Sequence, residues 1–201
     1  MSGTQFQRGF KTEAERLSLE LRGELGLSVV QRLDPRVLAD HLAIPVLDLS
    51  LLAKAGARAS AITHLQGPGS KFFSACTIVE GYGRVIVVND AHASVRQASS
   101  LAHELSHVVL EHEPHRAISA NGCRLWNAQM EDEADLVGGV LLVSRDGALY
   151  AAREGMPIEV AAHHFGVSEQ MMRWRLMHSG AMAQAQRERA KHGVPRRRRG
   201  S

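Results

Sequence analysis

The pentapeptide His103-Glu104-Leu105-Ser106-His107 constrains the fold of this chain more than any other stretch of it. Histidines at positions i and i+4 share one face of an α-helix, so both imidazoles can reach a single metal ion. Glu104 lies about 100° around that helix, beside the ion, where a general base is needed. The pentapeptide predicts a helix with two metal ligands, His103 and His107, and one catalytic carboxylate, Glu104.

The apolar residues around the pentapeptide support a helix of this phase. If His103 is placed at zero and each residue turns the helix by about 100°, His107 falls near 40°. The apolar positions fall on the opposite side, between roughly 140° and 220°: Ala98, Leu101, Leu105 and Val108. The histidines therefore face away from the apolar stripe, as metal ligands at a cleft should.

A catalytic zinc site usually takes three protein ligands and keeps one position open. The HExxHxxGxxH arrangement fails here, because Leu110 and Glu113 stand where it needs glycine and histidine. The acidic segment that begins at Glu131 offers the next carboxylate. We predict Glu131 as the third zinc ligand.

Asp135 follows Glu131 by four residues and shares its helix face. It is placed to accept the second ring N–H of a ligating histidine, which would fix the tautomer of that ring. Glu133 points about 160° away from Glu131 and does not share that task. Gly138 continues the face and allows this helix to approach the HExxH helix closely.

The rest of the pattern predicts an α+β fold: a small antiparallel sheet packed against the HExxH helix, with a helical C-terminal part. Capping-box patterns, Thr12 with Glu15 and Ser94 with Gln97, indicate two helix starts, and Asp34 before Pro35 indicates a third. The expected strands are 44–49, 75–79 and 84–88, the last two forming a hairpin. The expected units are a zincin-like metallopeptidase domain at 1–145, a helix-turn-helix-like subdomain at 146–184 and a basic disordered tail at 185–201.

Composition narrows the cellular setting. The chain has two cysteines, Cys76 and Cys123, with no CxxC pairing. Residues 1–11 are polar and lack the apolar stretch of a secretory signal, and no apolar run is long enough for a membrane span. We therefore expect a cytoplasmic protein. Of the net charge of +3, residues 187–201 contribute +6 and the remainder −3, so the basic character belongs to the tail.

Residues 158–176 look like a helix-turn-helix, with Gln170, Arg173 and Arg175 as the polar side chains of its second helix. Two helices joined at a glycine also close an ordinary core, and we expect packing rather than DNA contact. The alternative function is a DNA-binding regulator that uses these helices, with the metal structural or absent. A closed structural zinc site would need a fourth ligand, for which Cys123 or His115 are candidates.

Several stretches together resemble the ImmA/IrrE family of zinc metallopeptidases. The resemblance rests on these segments: Glu13 to Leu17, Leu33-Asp34-Pro35, Ala75-Cys76-Thr77, Val85 to Asn89, Leu101 to His107, Glu131 to Asp135 and Leu141-Leu142. The chain departs from the family pattern at Ser106, where glycine is common, and at Val143-Ser144, where Met-Pro is common. The resemblance implies a gluzincin-like peptidase with Zn²⁺ on His103, His107 and Glu131 and with Glu104 as base.

The resemblance also implies a protein substrate, a helix-turn-helix transcriptional repressor in a stress or mobile-element response. A toxin–antitoxin partner that uses the same fold is a third alternative. If strand 84–88 forms a sheet edge, it could hold an extended peptide by main-chain pairing. The oxyanion-stabilising residue stays open among Tyr150, His115 and Arg145.

Overall fold

The computed structural model describes residues 6–80, 83–112 and 127–191. Helices and strands alternate irregularly, which confirms the α+β class. The helices are α1 Phe10–Glu24, α2 Pro35–His41, α3 Ala59–Gln66, α4 Ser94–Val109, α5 Ala128–Leu142, α6 Arg145–Glu154, α7 Ile158–Phe165, α8 Glu169–His178 and α9 Ala181–Lys191. The strands are β1 Val46–Asp48, β2 Ala75–Glu80 and β3 Gly83–Val88, and short 3₁₀ turns cover Leu49–Ala53 and Ser70–Phe72.

The sheet is mixed rather than wholly antiparallel. The predicted hairpin is confirmed, with β2 antiparallel to β3, but β1 runs parallel to β3 on its other side. The connection from β1 to β3 passes through α3 and β2, and it returns the chain in its original direction. The condition under which residues 84–88 could hold a peptide is therefore not met, because β3 is central and β2 is an edge strand.

Two predicted capping boxes are wrong and one predicted cap is confirmed. Helix α1 begins upstream of Thr12, and no side chain caps it. The amide of Gln97 does not cap α4 but donates to the carbonyl oxygen of His92 at 2.7 Å. Asp34 caps α2 as predicted, accepting a hydrogen bond from the backbone N–H of Arg36 at 2.9 Å.

Helix α4 lies between the sheet and α5, in a core that α1 and α2 complete. The buried side chains of this core include Leu21, Leu38, Ile86, Val88, Leu101, Leu105, Val137 and Leu141. Gly138 lies where α5 meets α4, because a Cβ atom there would come within 3.2 Å of the backbone nitrogen of His103. The close approach predicted from this glycine is confirmed, and it brings the acidic part of α5 beside the histidines.

The C-terminal helices share a core with the rest of the chain. Buried residues of α4 and α5 pack in one cluster with those of α6 to α9: Ala102, Leu142, Ala148, Phe165, Met172, Ala181 and Ala185. Among the described residues, this cluster includes side chains on both sides of the predicted boundary between residues 145 and 146. Helix α9, which we did not predict, runs to Lys191 and takes in the first residues of the predicted tail; residues 192–201 lie outside the described part of the chain.

Among the described residues, no helix combines the length and apolarity needed to cross a bilayer. Cys76 is half-buried and packs against Leu49, Ile62 and Val87 on the outer face of the sheet. Cys123 lies outside the described residues.

Candidate metal centre

Helix α4 presents both histidines of the pentapeptide to one cleft. The side chains of His103 and His107 are 25% and 18% exposed, while Leu101 and Leu105 on the other face are buried. The helix phase predicted from sequence is confirmed. Ser106, where the resembling family commonly has glycine, is buried and donates to the carbonyl oxygen of Ala102 at 2.7 Å, so it fits within its own helix.

Helix α5 brings Glu131 to the same point. The Nε2 atoms of His103 and His107 are 3.2 Å apart, and the Oε2 atom of Glu131 lies 3.3 Å from the first and 3.9 Å from the second. Ligand atoms about 2.0–2.1 Å from a tetrahedral zinc ion lie roughly 3.3 Å from each other. The three predicted ligands therefore form a triangle of the size that a metal ion requires, and they could hold one.

Asp135 lies beside the metal triangle, where the sequence placed it. Its Oδ1 atom is 2.8 Å from the Nδ1 atom of His103, on the side of the ring that faces away from Glu131. Burial lowers the pKa of His103, but the hydrogen bond and charge of Asp135 outweigh it and raise the pKa above its ordinary value. Glu104 and Glu131 act in the same upward direction.

A second support, behind His107, was not predicted from the sequence. The Nδ1 atom of His107 lies 2.9 Å from Nδ1 of His112, whose Nε2 atom lies 3.3 Å from Oε2 of Glu133. Glu133 thus serves a different partner from Glu131, consistent with its predicted direction. His112 follows the end of α4, and the only sequence signal for it was a histidine close behind the motif.

Glu104 has a partner on the sheet that the sequence also did not reveal. The hydroxyl of Thr77 on β2 donates to Oε2 of Glu104 at 2.7 Å. Thr77 lines the same cleft as the histidines, together with its neighbours on one face of β2, Ala75 and Val79. The carboxylate is therefore held between the HExxH helix and an edge strand.

The cleft over the metal triangle has a volume of about 410 Å³. Its described cationic lining comes from Lys71 and Arg84, both on the sheet side. Two of the predicted oxyanion candidates are elsewhere: Tyr150 lies beside His164, and Arg145 donates to Gln184. Neither of these two candidates lines the cleft, because α6 packs against α9. The third candidate, His115, lies outside the described residues.

The helix-turn-helix-like pair, α7 and α8, packs in one buried cluster with residues of α4 and α5. Arg175, predicted as one of its polar exposed residues, is 1% exposed. Its guanidinium donates to the carbonyl oxygen of Val143 and to Glu15, both at 2.6 Å. Arg173 is exposed and pairs with Glu169 on its own helix. The expectation that Arg175 faces solvent is wrong, since it joins α8 to α1 and the end of α5.

A helix carrying HExxH, with a glutamate from a neighbouring helix completing the ligand set, is the arrangement of metal-dependent peptidases. The family model described as the IrrE N-terminal-like domain, peptidase family M78, matches residues 39–177. This match covers more than half of the chain, and the chain belongs to that family. It begins within α2 and ends within α8, so α1 precedes it and α7 lies inside it. No curated protein and no solved structure matches the chain significantly.

Proposed function

We propose that the chain is a cytoplasmic, zinc-dependent endopeptidase that cleaves a protein substrate. The observation that carries the proposal is the triangle formed by His103, His107 and Glu131, with Glu104 at its side in an open cleft. Two imidazoles and one carboxylate at these separations suit zinc, which accepts mixed nitrogen and oxygen ligands in tetrahedral geometry.

The roles of the chain's own groups follow from their positions. Zinc, when bound, supplies a Lewis acid that acidifies water and polarises a carbonyl group. Glu104 accepts the proton of the attacking water and passes it to the leaving amine. Thr77 holds one oxygen of Glu104 and leaves the other for this proton. Asp135 keeps the proton of His103 on Nδ1, so that Nε2 stays available as a ligand.

Strand β2 is the natural site for an extended substrate. It is an edge strand, and its residues on one face line the cleft beside Glu104. An extended peptide can add to such an edge through main-chain hydrogen bonds. The exposed ring of Phe72 and the side chain of Val79 offer apolar contacts at the cleft, and Lys71 and Arg84 offer positive charge. We propose an exposed, extended segment of a protein as the substrate, with apolar and acidic residues near the cleaved bond.

The proposal that the cleaved substrate is a helix-turn-helix repressor in a stress or mobile-element response rests on the family resemblance. The rival function, DNA binding by α7 and α8, is less well supported. The side chain of Arg175 is buried against Val143 and Glu15, and it therefore cannot reach a base edge. Gln170 and Arg173 are the exposed members of the predicted set.

Elemental analysis of the full-length protein, purified without chelator, tests the metal site. We expect about one zinc per chain in the wild type and much less in His107→Ala and Glu131→Ala. A folded wild-type protein that contains no metal would contradict the proposed zinc site.

Digestion of a mixture of peptides by the zinc-loaded protein, with the products identified by mass spectrometry, tests the reaction. Glu104→Gln is the matched control, because it keeps the three ligands and removes the base. New peptide termini that appear with the wild type and are absent with Glu104→Gln support an endopeptidase. If the wild type and Glu104→Gln contain equal amounts of zinc and give identical products, the endopeptidase proposal is excluded. A purified repressor added as substrate then tests the finer proposal.

A further inference from the structure

The two ligating histidines are supported in different ways, and this inference rests on the proposed zinc site. His103 is held directly by Asp135, whose side chain is 73% exposed. His107 is held by another imidazole, that of His112, which in turn contacts Glu133. The side chains of His112 and Glu133 are only 9% and 14% exposed. The better shielded support therefore belongs to His107.

The turn at the end of α4 puts His112 in this position. The N–H of Glu111 donates to the carbonyl oxygen of Val108 at 3.0 Å. The N–H of His112 donates to the carbonyl oxygen of His107, also at 3.0 Å. This pair of bonds is a Schellman motif, which folds the chain back onto the last turn of the helix. Glu111 has a φ of 54°, in the left-handed region where glycine is usual. The backbone adopts this unfavourable conformation, and as a result a second imidazole lies at the back of His107, with the two ring planes at 62° to each other.

The hydrogen bonds that join His107, His112 and Glu133 can run in only one direction if His107 binds a metal. A histidine that gives Nε2 to a metal must carry its proton on Nδ1. The Nδ1 atom of His107 then donates to Nδ1 of His112, which must be unprotonated. His112 accordingly carries its proton on Nε2 and donates it to the carboxylate of Glu133. The other oxygen of Glu133 accepts from Nε2 of Gln129 at 2.9 Å, which fixes the carboxylate.

We propose that His112, held by Glu133, is a positioning residue that keeps His107 in its metal-binding tautomer and ring orientation. Both nitrogens of His112 are engaged, Nδ1 by His107 and Nε2 by Glu133, so His112 acts on the site through His107. Outer partners of ligating histidines typically contribute 10–100-fold to metal affinity. His112 contributes to the affinity of the site without touching the metal.

Cobalt(II) binding to the full-length, metal-free protein, measured in competition with a chelator, tests this role. We expect His112→Leu to bind Co²⁺ about 10–100-fold more weakly than the wild type. His112→Asn keeps an acceptor oxygen near the former Nδ1 position and should recover most of the affinity. Glu133→Met, which releases His112, should give a smaller loss in the same direction. His178→Asn, at an exposed histidine of α8, is the matched control and should bind as the wild type does.

A second readout requires no metal. Long-range proton–nitrogen NMR of the imidazoles in the metal-free protein should show His107 protonated on Nδ1 in the wild type and in His112→Asn. His112→Leu should show a mixture of tautomers. A purely structural role for His112 would alter the unfolding midpoint and leave both the tautomer and the Co²⁺ affinity of the folded protein unchanged.

The outcomes separate this inference from the proposed function. Wild-type Co²⁺ affinity in folded His112→Leu and Glu133→Met would overturn the role of His112 and leave the zinc site standing. A loss in His112→Leu that His112→Asn does not recover would also overturn it, because the acceptor atom would then be irrelevant. A wild-type protein that binds no Co²⁺ would remove the proposed function and this inference together.

Discussion

The two halves of helix α5 differ in almost every physical respect. Residues 128–135 carry four carboxylates, two of which, Glu131 and Asp135, contact the histidines of α4. Residues 136–142 are all buried and apolar or glycine. The first half places like charges side by side, a costly arrangement in the absence of a cation. The second half provides the packing that holds them there.

The carboxyl end of α5 is fastened by buried polar groups from two other helices. Arg22 of α1 donates to the carbonyl oxygens of Leu141 at 2.9 Å and Leu142 at 3.3 Å. Arg175 of α8 donates to that of Val143. At the end of a helix these carbonyl groups have no backbone N–H to accept from, and the arginine side chains donate to them instead. One helix thus separates function at its amino-terminal half from stability at its carboxyl-terminal half.

Loss of Arg175 should have the largest effect on stability. Arg175→Met would leave Glu15 and the carbonyl oxygen of Val143 without their buried partner, and it should lower the free energy of unfolding by about 3–5 kcal/mol. Arg173→Met removes an exposed pair on the same helix and should change it by less than about 0.5 kcal/mol. Urea unfolding of the metal-free proteins measures both. Equal effects of the two substitutions would contradict the comparison.

Gly138 belongs to the buried half of α5 but lies against the backbone of His103, so its substitution should affect both stability and metal binding. A methyl group there would press on the backbone of His103, and Gly138→Ala should destabilise the fold by about 1–3 kcal/mol and weaken metal binding as α4 and α5 separate. Gly23→Ala is the control, because a Cβ atom in that part of α1 meets nothing within 4 Å. It should stabilise by about 0.5–1 kcal/mol. Thermal unfolding and zinc analysis would show whether Gly138→Ala leaves either property intact.

Substitution in the amino-terminal half should remove the metal and spare the fold. Glu131→Gln keeps the size of the side chain and removes one of several neighbouring negative charges. We expect the zinc content to fall sharply, while the free energy of unfolding of the metal-free protein stays the same or rises by up to about 0.5 kcal/mol. A clear drop in metal-free stability would show that Glu131 has a structural role as well.

The smallest effect should be a pH dependence of the metal-free fold. Because the pKa of His103 is raised in the folded state, its pairing with Asp135 stabilises the protein below the unfolded pKa. This stability is lost as the pH rises through the folded pKa. Asp135→Asn should flatten that dependence by less than about 1 kcal/mol, since Asp135 is largely exposed. Urea unfolding of both metal-free proteins across the neutral range measures it, and an unchanged slope in Asp135→Asn would contradict it.

The residues predicted best from sequence are those whose relation is local. His103 with His107, and Glu131 with Asp135, are each four residues apart on one helix, and the periodicity of a helix alone puts each pair on one face. Asp34 was found for the same reason, since a capping side chain and its target N–H are close neighbours in sequence.

The residues that the sequence did not reveal depend on contacts between distant segments. Thr77 meets Glu104, and Glu133 meets His112, only after the sheet and α5 have packed on α4. The turn at Glu111 gave no signal, because it lacks the glycine that usually marks a left-handed residue at a helix end.

By itself, the sequence determined the faces of α4 and α5 and therefore the identity of the candidate metal ligands. The tertiary structure alone decided which strand forms the edge, the burial of Arg175 and the support behind His107. The physical reason is that helix periodicity is set by backbone geometry within a few residues, whereas strand order, burial and imidazole partners are set by how whole elements pack.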